Sequence, residues 1–200
     1  HLSPLEHASF TFGAQGVSRA LLAQITRHRI ASFSVQSQRY VKQDGANYII
    51  PPSIAALDAD KLQRYKDMME DIEAYYRELL SFGIAPEDAR FVLPNAAETR
   101  MVFTMNAREL LHFFELRCCA RAQWEIRTLA WAMLGICMRE APHLFAKAGP
   151  GCVSGVCGEG KMSCGRPGDS LKYLEEFRAM ALDGASDETI TSAAKRLIRR

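Results

Sequence analysis

The sequence predicts an α+β fold, because two hydrophobic periods run through it in turn. Apolar residues recur every three or four positions over 58–82, 107–117 and 121–140, the spacing of a helix with one buried face. Between these lie stretches that alternate or are rich in β-branched and aromatic residues, at 8–12, 32–41 and 98–105. A chain of 200 residues, 48% of them hydrophobic, has enough apolar surface for one domain with a sizeable core, or one domain with a tail.

The elements follow in order. A loop from His1 leads into a short alternating strand, Ala8 to Phe12. Ser18 is a fair N-cap for a helix over 19–29, with Leu21, Leu22 and Ile25 as its apolar face. From Ser32 to Val41 the alternation puts Phe33, Val35, Ser37, Arg39 and Val41 on one face of an extended segment. Asp44 to Pro52 reads as a turn-rich connector. Leu62, Tyr65, Met69, Ile72, Tyr76 and Leu79 carry the helix of 58–82, which Gly83 ends. Pro86-Glu87-Asp88 opens a short helix that stops before Pro94 and has Arg90 near its end.

Glu98 to Met105 is a strand, and Asn106 with Glu109 three residues on predicts a capping box for a helix over 107–117. Arg108 and His112, four apart, share a face of that helix. A second long helix covers 121–140, residues 142–167 form a loop, and two short helices flank Gly184 before the basic end at 195–200.

Composition narrows the classes. A net charge of +2 gives no support for nucleic-acid or polyanion binding over a whole face. No apolar run approaches the roughly 18 residues of a membrane span. The first residues hold a carboxylate and two histidines with no basic n-region, so no signal peptide is expected. Cys118, Cys119 and Cys137 lie in apolar helical sequence, and Cys152, Cys157 and Cys164 in a glycine-rich loop, which suits reduced thiols in a cytoplasmic protein. The loop cysteines, with His143 as a fourth ligand, also leave a zinc site open, although paired C-x2-C units are absent.

The residues that carry chemistry are the arginines. Arg27-His28-Arg29 is followed by Ser37 and Arg39, and no acid lies between Gln15 and Gln43. Arg27, Arg29, Arg39, Arg90, Arg108 and Arg117 all fall at the ends of elements, where a planar fork of donors can meet phosphate or carboxylate oxygens. His28 alone fits a hydrogen-bonded core histidine as well as a catalyst. Ser37 has no base near it in sequence, so a phosphate hydrogen bond is a simpler role for it than nucleophilic attack. There is no G-x-x-x-x-G-K loop.

Four blocks in order resemble the flavin-dependent thymidylate synthases. RHRIASFSVQS (27–37) matches that family's Arg-His-Arg-x7-Ser signature. HLSPLEHASFTF (1–12), EDARFVLP (87–94) and NARELLHFFELRCCARAQWEIR (106–127) resemble three further blocks. The resemblance implies a mostly antiparallel sheet flanked by helices, a single domain, and a homotetramer whose active sites are shared between subunits. It implies conversion of dUMP to dTMP, with FAD as cofactor, methylenetetrahydrofolate as carbon donor and NADPH as reductant.

The same resemblance assigns roles. Ser3, Arg27, His28, Arg29, Val35, Asn106, Arg108 and His112 match flavin-contacting positions, and Gln24, Arg27, Ser37, Gln38, Arg39, Arg90 and Arg117 match dUMP-contacting ones. Arg117 is the residue expected to face the uracil and favour its ionised form. Many relatives have Asn-Glu or Asn-Gln where this chain has Ser34-Val35, so only the backbone of Val35 is left to contribute. His112 stands where some relatives have Asn.

The expected organisation is a synthase core over 1–145, a Cys- and Gly-rich loop over 146–168 and a helical tail over 169–200 with no assigned role. The family also has tens of residues ahead of the block that begins at His1, so residues before it are expected. Two other readings stay open: a relative that binds FAD and nucleotide without methylating, and a zinc-dependent nucleotide- or RNA-binding module.

Overall fold

The computed structural model describes residues 2–39 and 47–198, apart from the side chain of Ile198. Helices outweigh strands. The strands β1 (Ser9–Ser18), β2 (Ala31–Val35) and β3 (Glu98–Asn106) form one antiparallel sheet in the order β1-β3-β2. The helices are α1 (Arg19–Ile25), α2 (Pro52–Ala55), α3 (Ala59–Ser81), α4 (Pro86–Ala89), α5 (Ala107–Arg117), α6 (Trp124–Glu140), α7 (Pro142–Phe145), α8 (Pro167–Leu182) and α9 (Asp187–Ile198). The α+β expectation holds.

Two compact units divide the chain. The first holds residues 1–10, 28–31 and 105–200, and the second holds 11–27 and 32–104.

The second unit contains most of the sheet. Burial along β3 alternates, with Thr99, Met101 and Phe103 inward and Arg100 and Val102 outward, as a strand covered on one face requires. Phe103 stacks between Phe12 of β1 and Phe33 of β2, with ring centroids 5.6 Å and 6.0 Å away. Leu21 and Ile25 of α1 and Tyr76 of α3 complete its core. Full burial of each such side chain contributes roughly 1.5–3 kcal/mol relative to exposure.

Several boundaries depart from the sequence expectations. β1 runs on to Ser18, because Gly13 and Gly16 blank the alternation that would have revealed it. α1 ends at Ile25 and not at residue 29. There the Thr26 amide and hydroxyl both donate to the Leu22 carbonyl, and the Arg27 amide donates to Gln24, which tightens the last turn. β2 ends at Val35, so Ser37 and Arg39 do not share a strand face: the Ser37 hydroxyl accepts from the Arg39 amide at 3.1 Å and turns the chain. Val41 and residues 44–46 of the connector lie outside the described residues.

The first unit is helical. Asn106 caps α5 by accepting from the Glu109 amide at 2.9 Å. Only that half of the expected capping box is found, because the Glu109 side chain is engaged elsewhere. α6 starts at Trp124, later than expected, since the Gln123 side chain caps it by accepting from the amides of Glu125 and Ile126.

The helices of the tail, α8 and α9, pack on α6. Gly135 makes this possible: a Cβ there would lie 2.6 Å from Phe177 Cδ1 and 2.7 Å from Ile190 Cγ2. Trp131 stacks on Phe177 and donates its indole N–H to the Cys118 carbonyl at 3.1 Å. The segment expected as a loop over 142–167 includes α7 and two short 3-10 turns at Gly151–Val153 and Gly160–Met162.

Candidate functional site

The expected site residues divide between the two units. On the first unit the centre is a chain of three side chains, Glu109, His28 and Arg117. His28 is buried beside Phe113, with ring centroids 4.9 Å apart and edge to face. Its Nδ1 lies 2.8 Å from Glu109 Oε1. Arg117 Nε donates to His28 Nε2 at 3.1 Å.

These contacts fix the tautomer. Arginine has no acceptor, so His28 Nε2 must be bare, and the ring proton sits on Nδ1 and is donated to Glu109. Burial holds the His28 pKa below its ordinary value of 6.5, against the opposing effect of its hydrogen bond to Glu109, and the Arg117 charge lowers it further. Burial also lowers the pKa of Arg117.

The geometry leaves Arg117 held by one nitrogen. Among the described residues, its terminal nitrogens Nη1 and Nη2 meet no hydrogen-bonding partner. A guanidinium fixed at Nε, with its fork open, is set to meet a planar anion or a pair of carbonyl oxygens. His112 is exposed, with its ring centroid 6.0 Å from that of His28. Arg29 is exposed, and Arg108 is ion-paired with Glu6 of the 3-10 turn Ser3–Glu6, which also carries Ser3 and packs on α5.

On the second unit Ser37, Gln38, Arg39 and Arg90 gather around the turn that follows β2 and the short helix α4. Arg39 is paired with Glu87, Nη2 to Oε2 at 2.6 Å, and Arg90 Nε donates to the Glu87 carbonyl at 3.0 Å. The acid that was missing from the local sequence therefore comes from 48 residues further on. Gln24 donates back to the Ala20 carbonyl at 3.3 Å, and Arg27 is exposed just past the end of α1. Beside the turn lies an open cleft of about 560 Å³ lined by Gly13, Gln15, Ser34, Val35, Ser37 and Arg100 among others.

Two further residues take part. Glu109 reads in sequence as a capping residue, yet its place on the apolar face of α5, four before Phe113, marks it as inward-facing. Arg19 carries no signal inside an apolar helix; its Nη2 donates to the Gln36 carbonyl at 3.0 Å.

Cys152, Cys157 and Cys164 are free thiols, and among the described residues no three of His, Cys, Asp and Glu gather as a metal ligand set. No helix among the described residues is long and apolar enough to cross a membrane.

Comparison with known proteins places this arrangement. Residues 1–143 match the family model described as thymidylate synthase complementing protein. A flavin-dependent thymidylate synthase of Geobacter sulfurreducens is 53% identical over 179 residues, covering 88% of this chain and 77% of the relative. One from Clostridium tetani is 51% identical over 193 residues, covering 87% and 76%. One from Pyrococcus furiosus is 46% identical over 168 residues, covering 80% and 68%. The four matching blocks and the arginine clusters on both units thus have one explanation: the chain belongs to the flavin-dependent thymidylate synthase family.

Proposed function

We propose that this protein converts dUMP to dTMP, using FAD, methylenetetrahydrofolate and NADPH. The observation that carries the reading is Arg117, clamped at Nε by the buried His28–Glu109 pair with its terminal nitrogens open. A fixed cation of this kind, set against N3 and a carbonyl of the uracil, stabilises the ionised ring and the negative charge that develops in it. The clamp matters because a guanidinium already oriented loses little freedom when the nucleotide arrives.

The donor set on the first unit fits a flavin dinucleotide. Arg29 and His112 are exposed, Ser3 lies on a turn packed against α5, and the exposed Arg108–Glu6 pair can exchange its carboxylate for a pyrophosphate oxygen. Bound FAD supplies the hydride chemistry. In this reading Ser3, Arg27, His28, Arg29, Asn106, Arg108 and His112, with the Val35 backbone, hold the flavin. With both ring nitrogens engaged by Glu109 and Arg117, His28 has only its backbone to offer the flavin, and its side chain orients Arg117. Gln24, Arg27, Ser37, Gln38, Arg39 and Arg90 hold the nucleotide, chiefly its phosphate, and Ser37 serves as a hydroxyl donor with no base to activate it.

The proposed assembly is a homotetramer, in which residues that meet one ligand come from different subunits. A cytoplasmic location completes the reading and suits a chain whose six cysteines are free.

The test is direct. The purified protein should be yellow and release flavin on denaturation. A preparation that stays colourless after incubation with FAD, or that carries stoichiometric zinc and no flavin, overturns the proposal.

A further inference from the structure

Arg19, the first residue of α1, has no assigned role, yet it sits among the groups given to the nucleotide phosphate. It spans from α1 to the turn after β2, donating Nη2 to the Gln36 carbonyl at 3.0 Å. The Gln36 amide donates in turn to the Arg100 carbonyl of β3 at 3.0 Å, so residue 36 is held from both sides. The next three residues are Ser37, Gln38 and Arg39.

Two features of this arrangement are incomplete without a ligand. Among the described residues, Arg19 Nε and Gln38 Nε2 are buried donors with no hydrogen-bond partner. A buried donor left unpaired is costly, and an incoming acceptor removes that cost. Arg19 also lies near enough to Arg90 for the two positive charges to repel. Burial first, and then the Arg90 charge, lower its pKa. A guanidinium with an orphaned Nε, within electrostatic range of a second arginine, suits an oxyanion.

We propose that Arg19 is a further residue of the phosphate subsite, holding the Gln36 carbonyl so that Ser37 and Gln38 present their donors, and setting a second guanidinium beside Arg90 for a phosphate dianion. The inference rests on the nucleotide reading above. It adds a positioning residue that its sequence neighbours, Ser18 and Ala20, give no reason to suspect.

Three variants of the holoenzyme test it: Arg19→Met, Arg19→Lys and Arg90→Met. Loss of a charge-assisted contact to phosphate corresponds to a rise of about tenfold or more in the KM for dUMP. Arg19→Met should show that rise with kcat and bound flavin near the parent values. It should also narrow the preference for dUMP over deoxyuridine, which lacks the phosphate. Arg19→Lys keeps the charge and loses the fork, so it should recover part of the effect.

If Arg90→Met raises KM while Arg19→Met does not, the role of Arg19 is refuted and the phosphate subsite stands. A KM unchanged in both variants means that the phosphate assignment itself has failed. A parallel fall of kcat, flavin content and Tm in Arg19→Met, without a change in nucleoside preference, overturns the inference in favour of a purely structural arginine.

Discussion

The two arginine clusters use the same side chain under opposite conditions. Arg117 leans on a pair whose side chains are 4% and 8% exposed, whereas Arg39 is paired with Glu87 where the exposures are 51% and 47%. The buried pair sets an orientation and cannot easily give it up, because breaking a buried charge-assisted contact costs several kcal/mol. The exposed pair is worth about 1 kcal/mol or less and exchanges readily. The difference fits the two tasks proposed for these clusters. A group that must polarise a ring needs a fixed geometry, whereas a group that must capture a phosphate needs a partner it can release.

The contrast fails most visibly if Arg117 proves dispensable. Arg117→Ala should lower kcat by roughly a thousandfold, the scale for losing a preorganised donor at developing charge, with flavin still bound. Steady-state dTMP formation and the flavin spectrum measure both, and undiminished turnover would remove Arg117 from the chemistry.

Glu109 gives the next largest effect. Glu109→Ala leaves the His28 Nδ1–H without its acceptor, so about 1–3 kcal/mol of stability should go, together with roughly ten- to a hundredfold in kcat. Glu109→Gln keeps an acceptor oxygen and should retain most of both. Equal losses in the two variants, read by thermal unfolding and turnover, would show that the charge and not the hydrogen bond is what counts.

Much of this was legible in the sequence, and the lost parts share a cause. The helices of 59–81 and 107–117 were readable because their apolar stripes are local. The end of α1 was not, since Thr26 closes it with a hydroxyl that leaves no periodic trace. The signature arginines stood out because no acid lies near them in the chain. The partners of Arg39 and of His28 could not be read: Glu87 is 48 residues from Arg39, and Glu109 is 81 from His28. Arg19 was hidden by its apolar neighbours, although the same lack of nearby acids applied to it. The tail showed two helices, but that Gly135 seats Phe177 and Ile190 is a matter of packing distance alone.

The pH dependence sharpens the comparison with a smaller effect. His28 titrates below 6.5 in the folded protein and near 6.5 when unfolded. The group therefore contributes stability that is fully present above pH 6.5 and is lost as pH falls through its folded value. Protonation of Nε2 also removes the acceptor for Arg117 Nε. The groups facing His28 are Glu109, Arg117 and His112, so the acid limb of kcat should move in Glu109→Gln. An acid limb of kcat unaltered by that substitution would assign it to another group.

The smallest effect belongs to the exposed pair. Glu87→Gln should change stability by less than about 1 kcal/mol and the KM for dUMP by no more than about threefold. A shift as large as that of Glu109→Ala would erase the distinction between the clusters.

The central claim, that a clamped arginine and a phosphate cluster together serve methylation of dUMP, is tested most directly by product. The flavin-loaded protein is incubated with dUMP, methylenetetrahydrofolate and NADPH, and dTMP is measured by chromatography. The account predicts dTMP in step with NADPH oxidation, abolished by Arg117→Ala. NADPH oxidation by the flavin-loaded protein with no dTMP formed would contradict it and leave a nucleotide-binding flavoprotein in its place.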